Sequence, residues 1–139
     1  MIGYFGVDFF VVPEGGRERV FLSEINLRVG GTTHPFGMAS LVTDGRYDAA
    51  SGHLVAGGRA KSYLATDNLK SPALVGRQPQ EVIDQVTRLG LAYDHRRRTG
   101  ATLHLLGALR EYGKMGVTCI GDTEEEARQH YRAVVAALG

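Results

Sequence analysis

Gly6-Val7-Asp8-Phe9-Phe10-Val11-Val12, the turn chemistry of Pro13-Glu14-Gly15-Gly16-Arg17-Glu18-Arg19, and Val20-Phe21-Leu22-Ser23-Glu24-Ile25-Asn26-Leu27-Arg28 decide the fold of this chain. Two runs rich in β-branched and aromatic residues flank a Pro- and Gly-containing segment, which predicts a β-hairpin with a long loop, its strands over Phe5–Val12 and Val20–Arg28. Side chains alternate along a strand. Leu22, Glu24, Asn26 and Arg28 are therefore expected on one face, and Phe21, Ser23, Ile25 and Leu27 on a core face. With Gly16 at the apex, Asp8 faces Glu24 and Val12 faces Val20. Like charges directly opposed destabilise a sheet, so a carboxylate pair on one rung calls for a cation between them. Oxygen ligands from Asp8, Glu24 and Asn26 suit magnesium, which takes few carboxylates and completes its shell with water or phosphate. Arg28, further along the same face, would grip a phosphate or carboxylate with its planar fork. The alternative is an Asp and a Glu on a solvent-facing edge, in a register slipped by two residues.

Charge and cysteine usage narrow the classes around this hairpin. Sixteen Lys plus Arg against fifteen Asp plus Glu leave a formal charge of +1, which speaks against a nucleic-acid partner. The single cysteine, Cys119, excludes an internal disulfide framework and a cysteine-based zinc cluster, and makes a reduced, cytoplasmic setting the expectation. Met1 to Phe5 lack the pattern of a signal peptide, and the apolar run from Val7 to Pro13 is too short to span a bilayer, so no membrane partner is expected. A chain of 139 residues can bury a core without disulfides or metals.

Outward from the hairpin, Gly30-Gly31-Thr32-Thr33 reads as a loop and Pro35 opens a short helix over Phe36–Val42. Short strands are expected at His53–Val55 and Ser62–Thr66. Pro79 starts a helix with Val82, Ile83, Val86 and Leu89 on one stripe, stopped by Gly90. Thr102–Leu109 and Gly116–Ile120 read as a second hairpin. Asp122 then caps a final helix, with Glu125 completing a capping box and Ala127, Tyr131, Val134, Val135 and Leu138 at helical spacing. The class is α+β with an antiparallel sheet, followed by a small β-β-α subdomain.

The hairpin residues Gly6-Val7-Asp8 and Glu24-Ile25-Asn26-Leu27-Arg28, followed by Gly30-Gly31-Thr32-Thr33-His34-Pro35, resemble the metal-binding hairpin of the ATP-grasp superfamily. They look most like its carboxylate–amine ligases of the pheganomycin peptide-ligase type. Thr102–Leu109, Lys114–Thr118 and Ile120–Thr123 with Glu125-Glu126-Ala127 look like the small terminal domain of those ligases. The resemblance implies metal ligands at Asp8, Glu24 and Asn26, nucleotide-phosphate contacts at Glu24, Asn26 and Arg28, and a catalytic role for Arg28 at the transferring phosphate. It implies magnesium (or manganese) as cofactor, ATP as co-substrate, and a carboxylate and an amine, small molecules or peptides, as the partners joined through an acyl phosphate. It also divides the chain into a partial metal- and phosphate-binding lobe at 1–75 and a C-terminal subdomain at 76–139.

The family also needs lysines for the α- and β-phosphates, a glycine-rich flap and an adenine pocket. Lys61, Lys70 and Lys114 are the lysines of this chain, and none lies in such a context. The expectation is therefore the C-terminal part of a ligase, inactive alone, completed by a separate chain carrying the missing N-terminal lobe or by self-association. The rival is a non-catalytic remnant or interaction module. Elsewhere, Arg96-Arg97-Arg98 reads as a solvated charge run or an anion grip, His104 as a core histidine, and Cys119 as a buried small hydrophobe.

Overall fold

The computed structural model describes residues 3–139; Met1 and Ile2, part of the N-terminal stretch read above, lie outside the described residues. The chain divides into two compact units, one up to Phe36 and one from Gly37 to Gly139. The division expected at 75/76 falls inside the second unit, between a short 3-10 turn at Pro72–Leu74 and the helix that starts at Pro79.

The first unit is the hairpin of β1 (Gly6–Glu14) and β2 (Arg17–Asn26), antiparallel. Its turn is tighter than the sequence suggested. Glu14 pairs with Arg17, leaving Gly15 and Gly16 as a two-residue loop with φ of 58° and 79°. Both torsions are left-handed, which glycine adopts without a Cβ penalty and which matches the twist of the flanking strands. From this turn the pairing runs Val12 to Arg19 and Phe9 to Leu22, one residue out of the expected register. An irregularity between Asp8 and Phe9 then restores it, so that Asp8 faces Glu24 and Gly6 faces Asn26. Ser23 is the extra residue of that bulge.

The bulge also overturns the expected core face. Phe10 pairs with Phe21 and the two rings stack at 5.3 Å between centroids, on the side of β1 that carries Asp8. Ile25 and Leu27, expected in a core, are 53% and 63% exposed, and Phe9 is 60% exposed. The hairpin presents apolar side chains to solvent on both faces.

The second unit is built on a five-stranded antiparallel sheet in the order β3-β4-β5-β7-β6. The strands are β3 (Arg46–Asp48), β4 (His53–Ala56), β5 (Arg59–Lys70), β6 (Gly100–His104) and β7 (Lys114–Gly121). Helix α1 (Thr33–Thr43) ends within this unit, ahead of β3. Helices α2 (Pro79–Arg88), α3 (Leu109–Tyr112) and α4 (Glu124–Leu138) complete it. β7, between β5 and β6, is the buried strand: Met115, Val117 and Cys119 are fully buried and pack with Val82 and Val86 of α2 and Val134 of α4. The expected stripe on α2 is thus half right, since Leu89 is exposed beyond the helix end. The second hairpin forms as β6 paired with β7, but the chain between them is helical from Leu106. The mixed α+β class with antiparallel sheets is as expected. No described helix is long and apolar enough to cross a membrane.

Candidate functional site

Asp8 and Glu24 are directly opposed on one rung, so their side chains leave the same side of the hairpin with Cβ atoms about 4.5–5.5 Å apart. Asn26 lies two residues on along β2, and its Nδ2 donates to Asp8 Oδ2 at 3.1 Å. The three residues assigned from the sequence are therefore together. This leaves Asn26 Oδ1, the second Asp8 oxygen and both Glu24 oxygens as acceptors. Such an all-oxygen set, with two carboxylates and one amide, fits a hard divalent cation that draws its remaining ligands from water or phosphate. It does not make a complete protein cage: among the described residues, no three His, Cys, Asp or Glu side chains converge on a point.

Arg28 stands apart from the expected row. The strand ends at Asn26, and Arg28 occupies a bend two residues later, so strand alternation no longer sets its direction. Its Nη1 donates to the carbonyl of Val29 at 3.5 Å and the side chain is exposed. Among the described residues its one hydrogen bond is this long contact to its neighbour, so the guanidinium can turn to a ligand at small cost.

The following loop closes on itself. Thr33 N–H donates to Gly30 O at 3.1 Å, and Gly30 N–H donates to Thr33 Oγ1 at 3.2 Å. Gly30 N–H is therefore already used, and His34 lies in the first turn of α1.

In the second unit, sequence reasoning missed a charged pair. Lys61, on β5, has a side chain only 2% exposed and is ion-paired with Asp122, which also takes Arg59 Nη1 at 3.3 Å. The hydrogen bond from Lys61 holds the Asp122 carboxyl below the usual carboxylate range, reinforced by Arg59. Asp122 is thus not the helix cap. Thr123 is, its side chain accepting from Glu126 N–H, while the Glu126 carboxylate reaches back to Asp122 N–H at 2.6 Å. The readable signal was the adjacent Asp and Thr, either of which can cap. Burial of Lys61 on a strand had no local signature. His104 packs its ring over Gly116, where a Cβ would fall 2.1 Å from the ring, and its Nε2 lies 3.4 Å from Thr118 Oγ1. Cys119 is buried, and desolvation pushes its thiol up to about 12, away from any nucleophilic role.

Comparison with known proteins bears on this arrangement. The PGM1 C-terminal domain family matches residues 81–134, which run from α2 to α4. Over 137 residues the chain is 34% identical to the L-propargylglycine–L-glutamate ligase of Streptantibioticus cattleyicolor. These likenesses support a relationship to the ATP-grasp ligases. The second covers 98% of this chain but 28% of that ligase, so the chain spans between a quarter and a third of its relative's length. No solved structure matches.

Proposed function

We propose that this chain is the metal- and phosphate-binding part of an ATP-dependent carboxylate–amine ligase, of the peptide-ligase branch that its hairpin resembles. The observation that carries the reading is the rung shared by Asp8 and Glu24, with Asn26 bonded to Asp8. Two carboxylates placed face to face in a strand pair disfavour the empty hairpin and favour a bound cation. The 34% identity to a ligase that joins two amino acids supports the same direction.

In this reading a carboxylate oxygen of one substrate attacks the γ-phosphorus of ATP and ADP leaves. The amine nitrogen of the second substrate then attacks the acyl phosphate, forming the amide and releasing phosphate. Asp8, Glu24 and Asn26 would hold magnesium or manganese, which supplies charge compensation at the phosphate oxygens when bound. Arg28 reaches the transferring phosphoryl group from the bend after β2 and binds its developing charge through paired N–H donors. Residues 1–75 serve the metal and phosphates in this scheme, and 76–139 form the accompanying subdomain.

The exposed hairpin supports a further part of the proposal. A two-stranded hairpin with apolar side chains bare on both faces gains little stability alone. We infer that further polypeptide, a separate chain or another part of the same protein, covers it and supplies the nucleotide lysines, in a reduced cytoplasmic setting. The test is reconstitution: with the remaining part of the ligase supplied, ADP release should require both a carboxylate and an amine. Arg28→Ala should lower turnover about a hundredfold or more. Amine-independent release, or no effect of Arg28→Ala, would overturn the assignment.

A further inference from the structure

The Arg96-Arg97-Arg98 run is more ordered than a solvated charge run needs to be. It fills a tight loop between Asp94 and Thr99, which bridge one another. Asp94 Oδ1 accepts the N–H groups of Arg96 at 2.7 Å and Arg97 at 3.0 Å, and Arg98 N–H donates to Asp94 O at 2.7 Å. The buried Lys61 ammonium donates to Arg97 O at 3.4 Å, tying the loop to β5. Arg98 adopts a φ of 57°, uncommon for a residue with a side chain, and a Cβ on Gly57 would lie 2.9 Å from its Nη1. The absence of that Cβ lets the Arg98 guanidinium lie against Gly57 in the β4–β5 turn, two residues before Arg59.

The loop thus meets the β4–β5 turn and the start of β5, gathering Arg59, Lys61, Arg96, Arg97 and Arg98; of these, Arg59 and Lys61 pair with Asp122 and Arg97 with Asp94. On a chain with a formal charge of +1, this is a strong local excess. Neither Arg96 nor Arg98 has a carboxylate at ion-pair distance among the described residues. By contrast, Arg128 and Arg132 on α4 are paired with Glu124 and Glu125. Gathering guanidiniums raises their mutual repulsion, and fixing the loop backbone through four hydrogen bonds lowers the ordering cost of binding.

We propose that this two-turn face is a docking site for an acidic protein segment carrying several carboxylates. Arg96 and Arg97 are exposed, and the Arg59 side chain at the start of β5 is 76% exposed, so these donors face solvent, where an extended acidic segment can reach them. Arg96, Arg97 and Arg98 supply three consecutive guanidiniums, each able to take a carboxylate of its own. Successive Asp and Glu side chains can occupy them in turn, each through a paired contact. The proposal rests on the second unit alone and is independent of the hairpin assignment.

The experiment is fluorescence-anisotropy titration of the 139-residue chain with labelled hexaglutamate. Binding should be saturable at low ionic strength and weaken about tenfold or more at about 0.3 M salt. Arg96→Ala with Arg97→Ala should weaken it about tenfold, Lys at both positions should restore part of the affinity, and Arg128→Ala with Arg132→Ala should leave it unchanged. Melting curves of the Ala pair should match the parent, since both side chains are exposed and the Arg97 carbonyl bonded by Lys61 remains. No binding, equal binding by the Ala pair, or equal loss in the α4 variants would overturn the proposal. So would tighter binding of a hexadeoxynucleotide, which would assign the face to nucleic acid, or displacement by inorganic phosphate at matched charge.

Discussion

Asp8 and Glu24 oppose one another across the hairpin, and Asn26 Nδ2 bonds Asp8 rather than Glu24. Without a cation, this rung holds two carboxylates with one amide to share between them. Asp8→Asn or Glu24→Gln should therefore leave the metal-free hairpin as protected as before, or more so, with a change within about 1 kcal/mol. Amide hydrogen exchange at Val7 and Ile25 reports it. Loss of protection in Glu24→Gln would mean that the carboxylate is a structural partner.

Burial separates two sets of hydrophobic residues that the sequence does not distinguish. Leu109 is fully buried in the second unit, and Leu109→Ala should cost about 2–5 kcal/mol in chemical denaturation. Ile25→Ala and Leu27→Ala should cost less than about 0.5 kcal/mol in the isolated chain, because both are more than half exposed. If further polypeptide covers the hairpin, the same two changes should weaken that association.

Asp122 should matter through Lys61. Asp122→Asn leaves a buried ammonium without its counter-charge and should cost about 3 kcal/mol, while Lys61→Met with Asp122→Asn should recover most of it. The sign of the pH dependence follows from the lowered Asp122 carboxyl. Its contribution is present above the ordinary carboxylate range and is lost as pH falls through the depressed folded-state value. Acid melts should show a shallower loss of stability below about pH 4 in Asp122→Asn than in the parent.

Cys119 should resist alkylation. Its thiol is buried and pushed up to about 12, so a neutral maleimide at mildly alkaline pH should label it at the rate of unfolding. Denaturant should release the labelling, and rapid labelling of the native chain would show an open path to β7.

Much of the fold was readable because the patterns were local. The strand-forming run of β2, the Pro79 start of α2 and the apolar spacing of α4 are each set within a few residues. The Asp8–Glu24 pairing was also legible, although a two-residue Gly15-Gly16 turn and the bulge at Ser23 shift the register in opposite senses and cancel at that rung. The same bulge was invisible in the sequence, and with it the regrouping that puts Phe21 with Phe10 on the Asp8 side. Strand alternation beyond Asn26 failed for Arg28 because the strand ends there. Lys61 with Asp122, and Arg98 against Gly57, join residues dozens of positions apart, and no local propensity encodes such contacts.

The central claim is that Asp8, Glu24 and Asn26 bind a divalent cation, and manganese titration followed by electron paramagnetic resonance tests it most directly. The parent chain, with ADP present to supply phosphate oxygens, should bind about one Mn2+ that Mg2+ displaces. Asp8→Asn and Glu24→Gln should each weaken that binding about tenfold or more, with the melting temperature of the second unit unchanged. Equal Mn2+ binding by the parent and both variants would contradict the assignment.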